Sequence, residues 1–153
     1  MSRILLRAFV RAPAERCFDL ARDVSAHTRS LAETGERVVA ATHALLELGD
    51  EVTWEARHLG VRQRLTTRIT EMEPPRTFTD EQVRGAFAAL HHVHRFIQVD
   101  GGTEVVDDFA YRLPLGPLGR LADILVVRGH MRRLLATRGA YLKRLAESDP
   151  SSE

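Results

Sequence analysis

The sequence predicts an α+β fold in which a seven-stranded, curved antiparallel sheet wraps a long C-terminal helix, with two short helices after the first strand. Three observations carry this. The 153 residues are 44% hydrophobic and 28% charged, too apolar for a disordered chain and too polar for a membrane bundle, and their number suits one core. Between Glu36 and Leu113 the chain runs in short alternating segments punctuated by glycine, as an antiparallel meander does. From Gly116 to Ala146 apolar residues return at helical spacing.

Residues 3–10 read as the first strand. Ala12-Pro13-Ala14-Glu15 then places proline where a first helical turn accepts it, starting a helix to Arg22 whose apolar face is Cys17, Phe18, Leu20, Ala21 and Val24. Ser25 is a good N-cap for a second short helix to Ala32, which Gly35 ends. Six strands follow at 37–48, 51–59, 62–72, 77–84, 88–99 and 103–113. A Gly60-Val61 turn pairs Leu59 with Arg62 and sets Val52, Trp54, Ala56 and His58 opposite Ile69, Thr67, Leu65 and Gln63, a mostly apolar face. Glu51, Thr53, Glu55, Arg57, Arg64, Thr66 and Arg68 then face solvent. An Asp100-Gly101 turn pairs Val99 with Gly102, so that His94 meets Asp107, His92 meets Phe109, Leu90 meets Tyr111 and Phe96 meets Val105. A Gly101-Gly102 turn keeps those faces, whereas a three-residue loop reverses them. Gly116-Pro117 opens the last helix, roughly 30 residues and about 45 Å long. Leu118, Leu121, Leu125, Met131, Leu134, Leu135, Leu142 and Leu145 are its expected sheet-facing stripe, with Gly129 and Gly139 as weak points where it can kink or admit a ligand. The domain is expected to span residues 1–147, leaving 148–153 as a disordered tail.

One strand, two short helices, six strands and one long helix is the order of the helix-grip fold. The stretches Gly49-Asp50-Glu51-Val52-Thr53-Trp54-Glu55-Ala56-Arg57-His58, Pro74-Pro75-Arg76-Thr77-Phe78-Thr79-Asp80-Glu81-Gln82, Gly101-Gly102-Thr103 and Pro114-Leu115-Gly116-Pro117-Leu118-Gly119 resemble the bacterial ligand-binding branch of the START-like (SRPBCC) superfamily. That superfamily also holds StAR-related lipid-transfer domains, pollen-allergen-like carriers and polyketide cyclases. The resemblance covers nearly the whole chain. It implies an internal hydrophobic cavity without implying one reaction.

Within Leu90-His91-His92-Val93-His94-Arg95-Phe96, alternation puts Leu90, His92, His94 and Phe96 on one face and His91, Val93 and Arg95 on the other. His92, His94 and Asp107 are therefore expected inside, and three roles are open to them. Ranked first, they satisfy one another as buried polar groups and orient a ligand. Next, a carboxylate beside an imidazole prepares a general base. Last, two histidines and an aspartate could hold a metal facially; no metal or cofactor is expected. The pocket wall should comprise Trp54, Ala56, His58, Leu65, Ile69, His92, His94, Phe96, Asp107, Phe109, Tyr111, Leu121 and Leu125. Cys17 reads as inert core, His58 as a hydrogen-bonding group at the cavity mouth, and His27, His43 and His130 as surface or local structural groups. Asp80 and Glu81 point to opposite faces of a strand and read as solvated scaffold.

Charge and cysteine content narrow the function further. With 22 basic and 21 acidic residues the net charge is +1, no polyanion binder by charge alone. A single cysteine argues for a reducing compartment, and the N-terminal apolar run is too short for a signal or a span, so a cytoplasmic location is expected. Between Arg120 and Arg144 seven cations face one acid, Asp123; a solvated helix face is the first reading and attraction to an acidic partner or anionic membrane the second. No nucleic-acid-binding motif accompanies them. The expected function is binding or transport of a small hydrophobic ligand, lipid-like or aromatic, with no nucleic acid, no stable membrane insertion and oligomeric state left open. One alternative is an enzyme resembling polyketide cyclases or aromatases, in which His94 oriented by Asp107 moves protons on a poly-ketone while His92 steadies the enolate. The other is a module that docks on a partner or membrane through the basic helix.

Overall fold

In the computed structural model, which describes residues 1–148, β1 (Ser2–Val10) leads into α1 (Ala14–Ala21), α2 (Val24–Ser30) and a 3₁₀ turn (Ala32–Thr34). The meander follows as β2 (Arg37–Ala41), β3 (Glu51–His58), β4 (Val61–Glu73), β5 (Thr77–Arg84), β6 (Ala89–Val99) and β7 (Gly102–Arg112). The chain then turns into α3 (Gly116–Ala122), a π-helical turn (Asp123–Val127) and α4 (Arg128–Glu147). Beyond Ser148, the expected tail lies outside the described residues.

All seven strands join one antiparallel sheet in the order β1-β7-β6-β5-β4-β3-β2, so the first strand extends the meander at its last strand. Register slips in the β2–β3 and β4–β5 pairs bend the sheet. α4 lies across it, packed on β1, α1 and α2. This is the helix-grip architecture that the element order implies. Phe18 from α1 meets Phe78 and Phe96 edge-on, with ring centroids 5.5 and 5.6 Å away, which fixes α1 against the sheet. A second cluster joins Ile4, Leu90, Phe109 and Tyr111 to Leu135 of α4.

The β6–β7 hairpin has the register the Asp-Gly turn specifies: Val99 pairs with Gly102, His94 with Asp107 and His92 with Phe109. The β3–β4 turn is instead Leu59-Gly60, both at positive φ (52° and 80°), the conformation that matches strand twist in a two-residue hairpin. Trp54 therefore pairs with Leu65 and Ala56 with Gln63. The slide is two residues, so every side chain keeps its face.

Three expectations are corrected. β2 stops at Ala41 because the following backbone bonds to the α1–α2 junction, Val24 N–H donating to Ala44 O and Leu46 N–H to Arg22 O. α2 is capped by Asp23, whose side chain accepts from Ala26 N–H, and Ser25 already lies inside the helix. The third concerns the inward stripe of the last helix. Leu121 and Leu125 are 53% and 69% exposed and line neither of the two cavities between sheet and helices; Leu118 is also exposed. Their phase is set by Gly119, which packs so tightly on Pro114 O that no Cβ fits, and by Asp123, which accepts hydrogen bonds from Tyr111, Ser2 and Arg128. With Gly119, Asp123 and Val127 turned inward at intervals of four, the leucines between them must face out.

Candidate functional site

Two chambers, about 320 and 290 Å³, lie between the sheet and the helices. Trp54, Ala56, His58, Leu65, Ile69, His92 and Phe109 line the larger one, and Phe96 and Asp107 the smaller. His94 borders both, together with Ala21, Leu135 and Arg138. Tyr111 lines neither: it is fully buried behind the wall, its hydroxyl donating to Asp123. Burial and that carboxylate push its phenol up to about 12.

A polar network forms the partition between the chambers. His92 Nε2–H donates to Asp107 Oδ1 at 3.0 Å. His94 is clamped at both ring nitrogens, Nε2 lying 2.7 Å from Asp80 Oδ2 and Nδ1 3.2 Å from Asp107 Oδ1. Arg138, only 5% exposed, brings Nη1 to 3.7 Å from Asp107 and donates through Nε to His27 Nδ1 at 3.2 Å. His27 in turn sends Nε2–H toward Glu36 Oε1 at 3.2 Å and stacks on Trp54 at 4.1 Å. The polar wall thus runs from Glu36 on one side of the sheet to Asp80 in its middle.

Proton affinities follow from these contacts. Burial alone would depress the His94 imidazole, but the hydrogen bonds to Asp107 and Asp80 outweigh it and hold His94 above its ordinary value. For His92, burial and the neighbouring His94 prevail over the single Asp107 contact, and its imidazole is held below the ordinary value. Burial opposes ionisation of Asp107, yet hydrogen bonds from His92 and His94 keep it well below the usual carboxylate range; Asp80 is lowered against burial chiefly by His94. Asp107 thus stands between the two imidazoles and the Arg138 guanidinium, the partners that a buried carboxylate needs, and Glu36 adds a third carboxylate at the far end of the wall.

The two imidazoles therefore differ in what they can offer a neighbour. With both nitrogens donating to carboxylates, His94 has no lone pair to offer a substrate. Because a carboxylate only accepts, the His92 proton sits on Nε2. Its Nδ1 has no hydrogen-bond partner among the described residues, and His92 lines the larger chamber. An acceptor is therefore presented to a ligand at Nδ1.

Asp80, Arg138 and His27, which line the larger chamber, were assigned by the sequence to scaffold, solvated face or surface. Each had a signal. Asp80 lies two residues from the inward Phe78 on β5 and so shares its face; Arg138 falls at helical spacing from Leu134 and Leu135; His27 falls three residues after the buried Val24. Asp80, His92 and His94 also present ligand-type atoms within 4.8 Å of one another. Their donors are already engaged with one another and with Asp107, and Arg138 stands beside them.

The model of the polyketide cyclase / dehydrase and lipid transport family matches residues 10–135. The chain belongs to this family. Its fold recurs in solved structures at low identity, and family and fold together are those of a START-like ligand-binding domain. Protein TTHA0849 of Thermus thermophilus superposes with a TM-score of 0.78 at 22% identity, covering 97% of this chain and 100% of that one. A START superfamily protein of Mycobacterium smegmatis gives 0.72 at 14% identity, covering 95% and 97%. Ginseng major latex-like protein 151 from Panax ginseng gives 0.67 at 10% identity, covering 96% and 98%. No curated protein matches the chain in sequence.

Proposed function

We propose that the protein binds a small hydrophobic molecule carrying a hydroxyl or enol group. The apolar body occupies the larger chamber against Trp54, Leu65, Ile69 and Phe109, and the hydroxyl donates to His92 Nδ1. The observation that carries this reading is the combination of an apolar chamber with a hydrogen-bonded polar wall that leaves one acceptor open. The wall carries three carboxylates, Glu36, Asp80 and Asp107, and its Arg138 guanidinium already stands beside Asp107, so it favours an uncharged polar group over a further carboxylate. Native mass spectrometry of the purified chain, followed by extraction, should recover such a molecule. Thermal shifts should be larger with phenolic and long-chain alcohol ligands than with the same skeletons methylated at oxygen, and His92→Phe should erase the difference. No copurifying species and no shift with either set would refute the reading.

A second reading, proton transfer on a poly-ketone, is favoured by one specific observation: a neutral imidazole oriented by a carboxylate is a prepared base. His92 is the base in this version and His94 the charged group that holds Asp107 in place. Turnover should then be lost in His92→Phe with binding retained. Absence of turnover by the wild type on aromatic poly-ketones would remove it.

A further inference from the structure

We propose that the segment Leu115–Val126 is a peripheral docking surface for an anionic lipid membrane, with the cavity mouth at its edge. Leu115, Leu118, Leu121, Ile124, Leu125 and Val126 are between 48% and 76% exposed, a dense run of outward apolar side chains on one short stretch. Large contiguous apolar patches of this kind mark interaction sites. The exposure is built in. Gly119 can approach Pro114 only because it lacks a side chain, and the buried Asp123 anchors the inner side through Tyr111, Ser2 and Arg128. The helix is thereby locked with a glycine and a carboxylate inward and its leucines outward.

A second lip carries the same signature. At the tip of the β3–β4 hairpin Leu59 and Val61 are 51% and 58% exposed, and His58 Nδ1 lies 3.1 Å from His130 Nε2, which ties that tip to the start of α4. Leu59 on one lip and Val127 and His130 on the other border the larger chamber. The apolar surface therefore adjoins the larger chamber on two sides.

Charge selects the occupant. Beside this segment, from residue 112 to 133, the outward cations are Arg112, Arg120, Arg128, Arg132 and Arg133, and the one acid, Asp123, is 3% exposed and paired with Arg128. Apolar side chains rimmed by arginines with no exposed carboxylate complement anionic headgroups over an acyl layer. A symmetric contact with a second copy would set the same arginines against one another. Docking is peripheral, since no described helix is long and apolar enough to cross a membrane. The inference is independent of what the cavity holds.

The test is sedimentation of the full chain with vesicles of phosphatidylcholine alone and of equimolar phosphatidylcholine and phosphatidylglycerol, at low and high salt. Binding is expected only to the anionic vesicles, weakened by salt. It should fall about tenfold or more in Arg120→Glu/Arg132→Glu, because each cation near an anionic surface adds its own share of the attraction. It should be lost in Leu118→Glu/Ile124→Glu, with circular dichroism unchanged. Ile124→Trp, which does not depend on tolerating a charge, should shift its emission to the blue on anionic vesicles. The proposal is overturned if the wild type stays unbound at low salt. It is equally overturned if the apolar changes leave binding intact and Ile124→Trp does not shift, so that charge alone acts. A dimer in solution that Leu118→Glu dissociates would assign the face to a second copy instead.

Discussion

His92 and His94 project from the same face of β6 with ring centroids 3.8 Å apart, and the number of carboxylates each touches sets the opposite shifts of their proton affinities. In an NMR titration, His94 should titrate above its ordinary value of about 6.5 and His92 below it. Asp80→Asn removes one of the two contacts that hold His94 up and should bring it down, whereas a His94 that titrates below His92 would reverse the assignment. Removing one member of a buried charge network strands the rest, so Asp107→Asn and Arg138→Met should each destabilise by about 3–5 kcal/mol in urea unfolding. Asp107 and both histidines were legible because Asp100-Gly101 fixed the hairpin register. Arg138 was not, because an arginine in a basic helix reads as solvated until its buried partner is known, and that partner lies on a strand that pattern alone cannot set opposite it. Asp80 was hidden by the exposed Glu81 beside it, although the alternation from Phe78 pointed inward.

At the scale of elements, strand faces were legible throughout and the last helix's phase was not. A strand turned by two residues keeps its faces, which is why the misplaced β3–β4 turn cost nothing, whereas a helix has no such protection. Hydrophobicity alone favoured Leu118, Leu121 and Leu125 as the inner stripe; a backbone contact at Gly119 and a carboxylate at Asp123 chose another. The glycines test this directly. A Cβ at Gly119 would stand 2.1 Å from Pro114 O, a backbone atom that cannot step aside, so Gly119→Ala should destabilise by about 1–3 kcal/mol as overpacking does. At Gly129 the nearest atom is the flexible end of Arg133 at 3.7 Å, and Gly129→Ala should stabilise by up to about 1 kcal/mol through helix propensity. Equal effects of the two substitutions in urea unfolding would contradict the assigned phase.

For the molecule as a whole, acid should loosen the fold first and the ligand contact after it. His27, His58, His92 and His130 are all held below their ordinary value, burial being the largest cause in each, and His94 alone is held above. A depressed imidazole contributes stability that is complete above the unfolded value of about 6.5 and is lost as pH falls toward the folded one; a raised imidazole contributes below about 6.5 and loses it as pH rises. Four groups act in the first sense and one in the second, so the urea midpoint should fall between about pH 7 and pH 5. Further acidification should remove the contributions of Asp80 and Asp107, both lowered, as pH drops through their folded values. The proposed ligand contact follows the same sign, because a hydroxyl can donate to His92 Nδ1 only while that nitrogen is unprotonated. Ligand affinity measured by calorimetry should therefore hold while the midpoint begins to fall and weaken only as pH drops through the lowered folded value of His92, and His92→Phe should bind with little pH dependence. An affinity that stayed constant on acidification all the way to unfolding would place the ligand's polar group away from His92.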